Sequence, residues 1–204
     1  MAAAPIPCFL LTCTDRVLRY LRRLAWKDCP LGTNRVYHEG LMFLDEVVLP
    51  SQAHLRGDNW DHADSRWPTA CECGYAFQPK DQWQVYGQRL WSYGPSDATF
   101  TTLQDAPPGA MYYADHMIQE DGWYKGPDGR CLAIKVPGNH WWFPDARAKN
   151  CTKPKDNRHR CWCRRGFAPS VTVDKSGETC KAGAGSILTD TWHGHLKDGM
   201  LIEC

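Results

Sequence analysis

The sequence lacks the features of a membrane protein or a strongly charged one. No apolar run approaches the roughly 18 residues that a membrane-spanning helix needs, so we expect no membrane association. The chain has 24 Lys and Arg residues against 23 Asp and Glu residues, a formal net charge of +1. Such a balance creates no long-range field, which argues against a general affinity for nucleic acid. Internal repeats and low-complexity tracts are also missing.

A basic segment is missing from the beginning of the sequence. The short apolar run in residues 1–11 has no positive charge before it, unlike a secretory signal. We therefore expect a mature protein in a reducing cytoplasm. The 11 Cys residues then point to metal binding rather than to disulfides.

Composition and turn residues predict how the chain is organised. The 204 residues fit one large domain or two small ones, and a hydrophobic share of 43% predicts a folded rather than a disordered chain. The 10 Trp residues fit core packing or an aromatic binding surface. The turn Pro107-Pro108-Gly109 predicts a boundary between an N-terminal region, 1–106, and a β-rich C-terminal region, 107–204.

The local patterns favour strands over helices. Residues 14–26 fit either a helix or a twisted strand, and residues 36–49 read as extended. Asp81 is a candidate cap for a short helix. Pro137-Gly138-Asn139 predicts a turn within a hairpin series. The expected class is α+β, β-rich, with irregular Cys/His-rich loops ordered by zinc.

A first metal site is predicted at the sequence Cys71-Glu72-Cys73-Gly74. Two thiolates at the tip of a tight turn form a zinc knuckle, and the glycine after them tolerates the backbone geometry there. The spacing is one residue shorter than the usual C-x-x-C-G. His62 and Cys29 are the first candidates for the other two ligands, followed by His54 and His38.

A second metal site is predicted in the polar, basic stretch towards the C-terminus. Its candidate ligands are Cys151, His159, Cys161, Cys163 and Cys180. Thiolates and imidazoles are the ligands that Zn²⁺ prefers. The residues between them are too polar to order by burial, so metal binding would supply the free energy.

Three other kinds of chemistry remain open. A thiol enzyme would pair Cys180 or Cys161 with His159, oriented by Asp174 or Asn150. A metal hydrolase would need an open coordination position and a carboxylate base, for which Asp174 and Asp145 are candidates. Nucleic-acid binding would use a basic segment with one interleaved aromatic residue, formed by Arg158, Arg160, Trp162, Arg164 and Arg165.

Several runs of the sequence resemble a family of uncharacterised proteins from tailed bacteriophages and prophages. They are W-P at 67–68, C-E-C-G-Y-A-F at 71–77, D-A-P-P-G-A-M at 105–111, D-A-R-A-K-N-C-T at 145–152, H-R-C-W at 159–162 and V-D-K-S-G-E-T-C-K-A-G-A-G-S-I at 173–187. The resemblance covers most of the chain and implies a host bacterial cytoplasm or a virion, without an assigned activity. Because the family often has an apolar residue at the position of Cys163, the resemblance also implies Cys151, His159, Cys161 and Cys180 as the better ligand set.

The function expected from these features is non-enzymatic. A zinc-stabilised phage protein would bind a phage or host protein, or form part of the virion. The alternatives are a nucleic-acid-binding zinc module and a metal- or thiol-dependent hydrolase. Disulfides in an assembled virion are a further alternative to zinc.

Overall fold

The structure is a computed structural model that describes residues 3–31, 36–49, 60–156, 158–177, 179–182 and 185–204. Over these residues the protein consists of strands and two 3-10 helices, with no α-helix. The predicted β-rich character is therefore confirmed, whereas the α+β class is not supported. Neither helix in these ranges is long and apolar enough to cross a membrane.

The strands are short except for three long ones. In chain order they are β1 (Ile6–Pro7), β2 (Phe9–Leu10), β3 (Thr12–Ala25), β4 (His38–Val48), β5 (Gln82–Tyr93), β6 (Thr99–Thr101), β7 (Ala110–Tyr113), β8 (Leu132–Val136), β9 (His140–Trp142), β10 (Cys163–Arg165), β11 (Thr172–Asp174), β12 (Ile187–Leu188), β13 (His193–Lys197) and β14 (Met200–Glu203). The 3-10 helices are Pro95–Asp97 and Asp115–Met117.

The chain divides into two compact units. The larger unit comprises Met1–Thr12, Ser92–Thr99 and Gln104–Cys204, and the smaller unit comprises Cys13–Trp91 and Phe100–Leu103. This division differs from a single boundary between residues 106 and 107. The reason is strand pairing, because β1 pairs with β14 and β2 pairs with β7, which places both N-terminal strands with the C-terminal part of the chain.

The smaller unit is built on a sheet with the strand order β4-β3-β5-β6. Of the two alternatives for residues 14–26, the structure shows the strand. Its arginines face acidic residues of β4 across the antiparallel pair, with 2.6 Å between Arg22 and Glu39. Opposite charges on neighbouring strands stabilise this register, while Val17 and Leu21 are buried on the core side.

The helix predicted after Asp81 is wrong, because the segment forms strand β5. Its Val, Tyr and Trp residues favour a pleated sheet, and Val85 is buried in the core of the smaller unit. The Asp81 carboxylate instead accepts a hydrogen bond from the backbone N–H of Gln78 at 2.7 Å. Asp81 therefore closes a turn before the strand.

The larger unit contains two four-stranded sheets, ordered β2-β7-β8-β9 and β1-β14-β13-β12, and the two-stranded sheet β10-β11. The predicted turn Pro137-Gly138-Asn139 joins β8 to β9, as expected. One apolar core unites these elements. Its fully buried members include Met111, Leu132, Ile134 and Leu201.

Candidate metal centres

The first Cys/His set lies in the smaller unit and consists of Cys29, His38, Cys71 and Cys73. Their four candidate ligand atoms all lie within 4.8 Å of one another, so the set could hold a metal ion. Cys29 Sγ is 3.9 Å from Cys71 Sγ, and His38 Nδ1 is 3.1 Å from Cys73 Sγ. Cys73 is the only member of this set that is not buried.

A tight turn presents Cys71 and Cys73 on the same side. The Gly74 N–H donates to the Cys71 carbonyl at 2.9 Å, and the Cys71 N–H donates to the Tyr75 carbonyl at 2.9 Å. Gly74 has a φ of +90°, a region that glycine enters without strain. Gly74 therefore adopts the kind of backbone geometry that the sequence predicted for it.

Strand pairing brings the other two members of the first set together. Ala25, the last residue of β3, is paired with His38 at the start of β4. Cys29 lies four residues beyond the end of β3, which leaves it close to His38. The structure does not bring His62 into the set, because its ring stacks on Trp83 with centroids 5.0 Å apart. His54, another candidate, lies outside the described residues.

The surroundings of the first set favour a thiolate. Burial raises the pKa of Cys71, but hydrogen bonds from the backbone N–H groups of Cys73 and Glu39 and from the His38 ring outweigh it and lower that pKa to about 6. The His38 ring stacks on Tyr75 with centroids 4.1 Å apart, which fixes the orientation of the imidazole. A preoriented imidazole beside a thiolate is suited to metal coordination.

The second Cys/His set lies in the larger unit and consists of Cys151, His159, Cys161 and Cys180. These four candidate ligand atoms also lie within 4.8 Å of one another. His159 Nε2 is 3.3 Å from Cys151 Sγ and 3.9 Å from Cys161 Sγ. Cys180 Sγ is 3.6 Å from Cys161 Sγ. The structure thus brings together all four residues implied by the family resemblance.

The hydrogen bonds around the second set determine which ring nitrogen faces the thiols. His159 Nδ1 lies 2.6 Å from the carbonyl oxygen of Asp156. Because a carbonyl oxygen only accepts, Nδ1 carries the proton and Nε2 offers its lone pair to the set. The backbone N–H groups of Ala148 and Ala182 donate to Cys161 Sγ and Cys180 Sγ, at 3.3 and 3.4 Å.

The thiols of the second set differ in acidity. Burial raises the pKa of Cys180, but hydrogen bonds from the backbone N–H groups of Ala182 and Thr152 and from the Cys161 and Cys151 thiols lower it to about 6. Burial raises the pKa of Cys161 to about 11. Cys180 is therefore the thiol of the set that loses its proton most readily, and a metal cation bound among the four residues would displace the protons of the other thiols.

Cys163, the fifth residue predicted in this region, belongs to neither set. It begins β10, opposite Asp174 on β11. A side chain at Gly177 would contact its sulfur at 3.1 Å, which shows that the thiol packs against that glycine.

The carboxylates proposed for enzymatic roles have other partners. The Asp174 carboxylate accepts hydrogen bonds from Ser176 and Arg165 and does not orient His159. Asp145, a candidate base for a hydrolase, is buried and paired with Arg164. The group that orients His159 is the backbone carbonyl of Asp156, a feature that no sequence motif reveals.

The basic segment considered for nucleic-acid binding is largely engaged within the protein. Trp162 is 8% exposed, and the Arg164 side chain is fully buried between two carboxylates. Arg165 is exposed but pairs with Asp174. Arg160 packs over Trp123 and donates to the Gly122 carbonyl. Arg158 lies on the surface.

Comparison with known proteins finds no matching family model, no matching curated protein and no matching solved structure.

Proposed function

We propose that the protein is a zinc-stabilised, non-enzymatic module that binds another protein. The observation that carries the zinc assignment is the geometry of the two Cys/His sets. A tetrahedral zinc with bonds of about 2.3 Å to sulfur and about 2.0 Å to nitrogen separates sulfur atoms by about 3.8 Å and sulfur from nitrogen by about 3.5 Å. The observed separations of 3.6 and 3.9 Å between sulfurs, and of 3.1 to 3.9 Å between sulfur and nitrogen, support zinc in both sets.

The ligand sets favour structural zinc over catalytic zinc. Each offers three thiols and one imidazole, which closes the coordination sphere, whereas catalytic zinc keeps a position open for water. In the second set His159 and Cys161 are each 1% exposed. Cys151 is the one member of that set that is not buried, so the centre is largely shielded from a substrate, and this supports a role in stability rather than in a reaction.

The chain around the second set explains why metal is needed. Between Asp145 and Ala182 the described residues contain only the short strands β10 and β11, and much of this stretch is polar. The backbone N–H groups of Ala148 and Ala182 donate hydrogen bonds to sulfur atoms of the second set. Metal binding would neutralise these thiolates and supply the free energy that fixes the loops.

The surface chemistry favours a protein partner. A net charge of +1 supplies no general attraction for nucleic acid, and the basic segment contributes few free cations. Large apolar side chains are instead exposed, including Trp26, Phe43 and Leu188, and exposed apolar surface is typical of protein-binding sites. The phage-like motifs extend the proposal to a phage or host protein as the partner, in the host cytoplasm or the virion.

Metal analysis of protein purified without chelator tests the zinc assignment. We expect two zinc ions per chain, and we expect the three thiols of each set to resist a thiol reagent until a chelator is added. The exposed thiols of Cys13 and Cys204 should react at once and serve as an internal control. Protein without metal whose thiols all react at once, or are all paired in disulfides, would contradict the assignment.

A further inference from the structure

A groove of about 620 Å³ in the larger unit is lined by two sheet edges. Trp141 and Trp142 line it from β9, the last strand of the order β2-β7-β8-β9. Ile187 and Leu188 line it from β12, the last strand of the order β1-β14-β13-β12. Within the described ranges each edge strand pairs with a neighbour on one side only. An edge strand offers backbone N–H and C=O groups to which an extended chain can add as a further strand.

The groove also carries apolar surface and free donors. Trp142 and Trp162 meet edge to face, with centroids 5.6 Å apart. Over the part of the chain that the structure describes, neither indole N–H has a hydrogen-bond partner. Trp142 is only partly buried, so its indole N–H can donate to a carbonyl oxygen of a ligand, while Trp162 is mostly buried behind it. Leu188, at 76% exposure, adds an unprotected aliphatic side chain at the rim.

All charged groups in the lining have the same sign. The charged residues that line the groove are Arg147 and Lys149, and none of the described lining residues carries a carboxylate. The groove is therefore complementary in charge to an acidic ligand.

The second Cys/His set holds one wall of the groove. The backbone N–H of Ala148 donates to Cys161 Sγ at 3.3 Å, and Arg147 Nη1 donates to Cys151 Sγ at 3.7 Å. Both residues line the groove. The sulfur atoms that we assign as zinc ligands therefore fix the position of this side of the groove.

We propose that this groove binds an extended, acidic peptide segment of the partner protein, added as a strand at the edge formed by β9 or β12. This inference rests on the proposed protein-binding function and names the chemistry of its partner. Two sheet edges and unpaired indole donors fit a peptide backbone with its own N–H and C=O groups. Single-stranded nucleic acid would need open aromatic faces for stacking, whereas Trp142 and Trp162 meet edge to face and Tyr112 packs edge to face against Trp141.

Fluorescence anisotropy of the full, metal-loaded chain tests the proposal. The probe is a fluorescein-labelled peptide of about eight residues, within the usual length of a strand, that alternates valine and glutamate. The comparison ligands are the same peptide with lysine in place of glutamate, and an oligothymidylate of equal negative charge. We expect the acidic peptide to bind and to shift the indole N–H resonances of Trp142 and Trp162, while the basic peptide leaves them in place.

Two substitutions with matched controls locate the binding site. Lys149→Glu reverses a charge in the groove, and Leu188→Asp places a charge on its rim. We expect each substitution to raise the Kd of the acidic peptide by about tenfold or more, since each places a negative charge where the negatively charged peptide binds. Lys155→Glu and Phe167→Asp make the same changes at exposed positions outside the lining, Phe167 being 74% exposed. These controls should bind within about twofold of the unchanged protein.

The outcomes separate this inference from the zinc assignment. Two zinc ions per chain without binding of the acidic peptide would overturn the groove proposal and leave the zinc assignment standing. Peptide binding that follows the predicted pattern in protein without zinc would support the groove and contradict the zinc assignment. The peptide proposal would also be overturned if the control substitutions weakened peptide binding as much as the groove substitutions do. Preferred binding of the oligothymidylate at the same indoles would overturn it as well.

Discussion

Arg164 Nε lies 2.9 and 3.2 Å from the two carboxylate oxygens of Asp145, and the Arg164 side chain has no exposed surface. The remaining guanidinium nitrogens donate to both oxygens of Asp128 at 2.6 and 3.0 Å. One buried cation thus joins β10 to aspartates in two loops of the larger unit. It also explains why an arginine in the basic segment is unavailable to an external phosphate.

We expect Arg164→Met to lower the free energy of unfolding of the larger unit by about 3 to 5 kcal/mol. The substitution leaves two carboxylates without the cation that compensates for their burial. Denaturant unfolding followed by tryptophan fluorescence measures the loss. Arg165→Met is the matched control, because the Arg165 side chain is 59% exposed and an exposed pair contributes at most about 1 kcal/mol. Equal losses for the two variants would contradict the buried role of Arg164.

The ion pair between Arg164 and Asp128 predicts a contribution to stability that is lost in acid. Hydrogen bonds from Arg164 hold the pKa of Asp128 below its ordinary value. A carboxyl with a lowered pKa in the folded state stabilises the fold above its unfolded pKa of about 3.9, and the contribution is lost as the pH falls through the folded pKa. We therefore expect the stability of Asp128→Asn to fall less steeply than that of the unchanged protein below about pH 4.

Denaturant unfolding at a series of pH values measures the difference. Asp190→Asn, at an exposed position, removes the same charge outside the cluster and should leave the slope unchanged. Any loss of metal in acid is common to all three proteins, because both Cys/His sets are intact in each. Identical slopes for Asp128→Asn and the unchanged protein would rule out the contribution of Asp128.

Two of the three histidines considered for the first set, His38 and His62, should differ in their effect on metal content. His38 Nδ1 lies 3.1 Å from Cys73 Sγ, whereas the His62 ring stacks on Trp83. We expect His38→Ala to retain one zinc per chain and His62→Ala to retain two. Atomic absorption on dialysed protein counts the ions. Retention of two ions by His38→Ala would remove that residue from the ligand set.

Two glycines with similar φ angles allow the cost of backbone strain to be separated from the cost of a steric clash. Gly109 has a φ of +93°, and a Cβ there would lie 2.4 Å from the Pro7 carbonyl oxygen. Gly122 has a φ of +83°, and a Cβ there would meet nothing within 4 Å. Each change to alanine should cost about 1 to 2 kcal/mol of backbone strain, and Gly109→Ala should cost more because the two backbone segments must move apart. Equal losses of unfolding free energy would contradict the close packing at Gly109.

The second Cys/His set could be predicted from the sequence because its members lie between Cys151 and Cys180, in a stretch too polar to order itself. The first set could be predicted only in part. Cys71 and Cys73 are neighbours in the turn, but their partner His38 is brought in by the register of β3 with β4. Pairing Ala25 with His38 in a hairpin would have identified it, whereas the polar segment around His62 gave no such information.

Strand and helix could not be separated by periodicity alone. In β3, the buried residues Val17 and Leu21 are four apart, a spacing that also fits a helix. The cross-strand ion pairs of Arg16, Arg19 and Arg22 with acidic residues of β4 decide for the strand. Such pairs depend on which strands meet, and the pairing of β1 with β14 is likewise invisible in local patterns.

The pairing of Ile6 with Leu201 has a consequence for the order of events on the ribosome. Strand β1 ends at Pro7 and its partner β14 begins at Met200, so most of the described strands are translated between the two. The whole smaller unit has been synthesised before then and can form first. The nascent chain must therefore carry β2 unpaired until β7 is made and β1 unpaired until β14 is made, and unpaired strands promote aggregation. A ribosome that stalls before Met200 leaves a larger unit that cannot close.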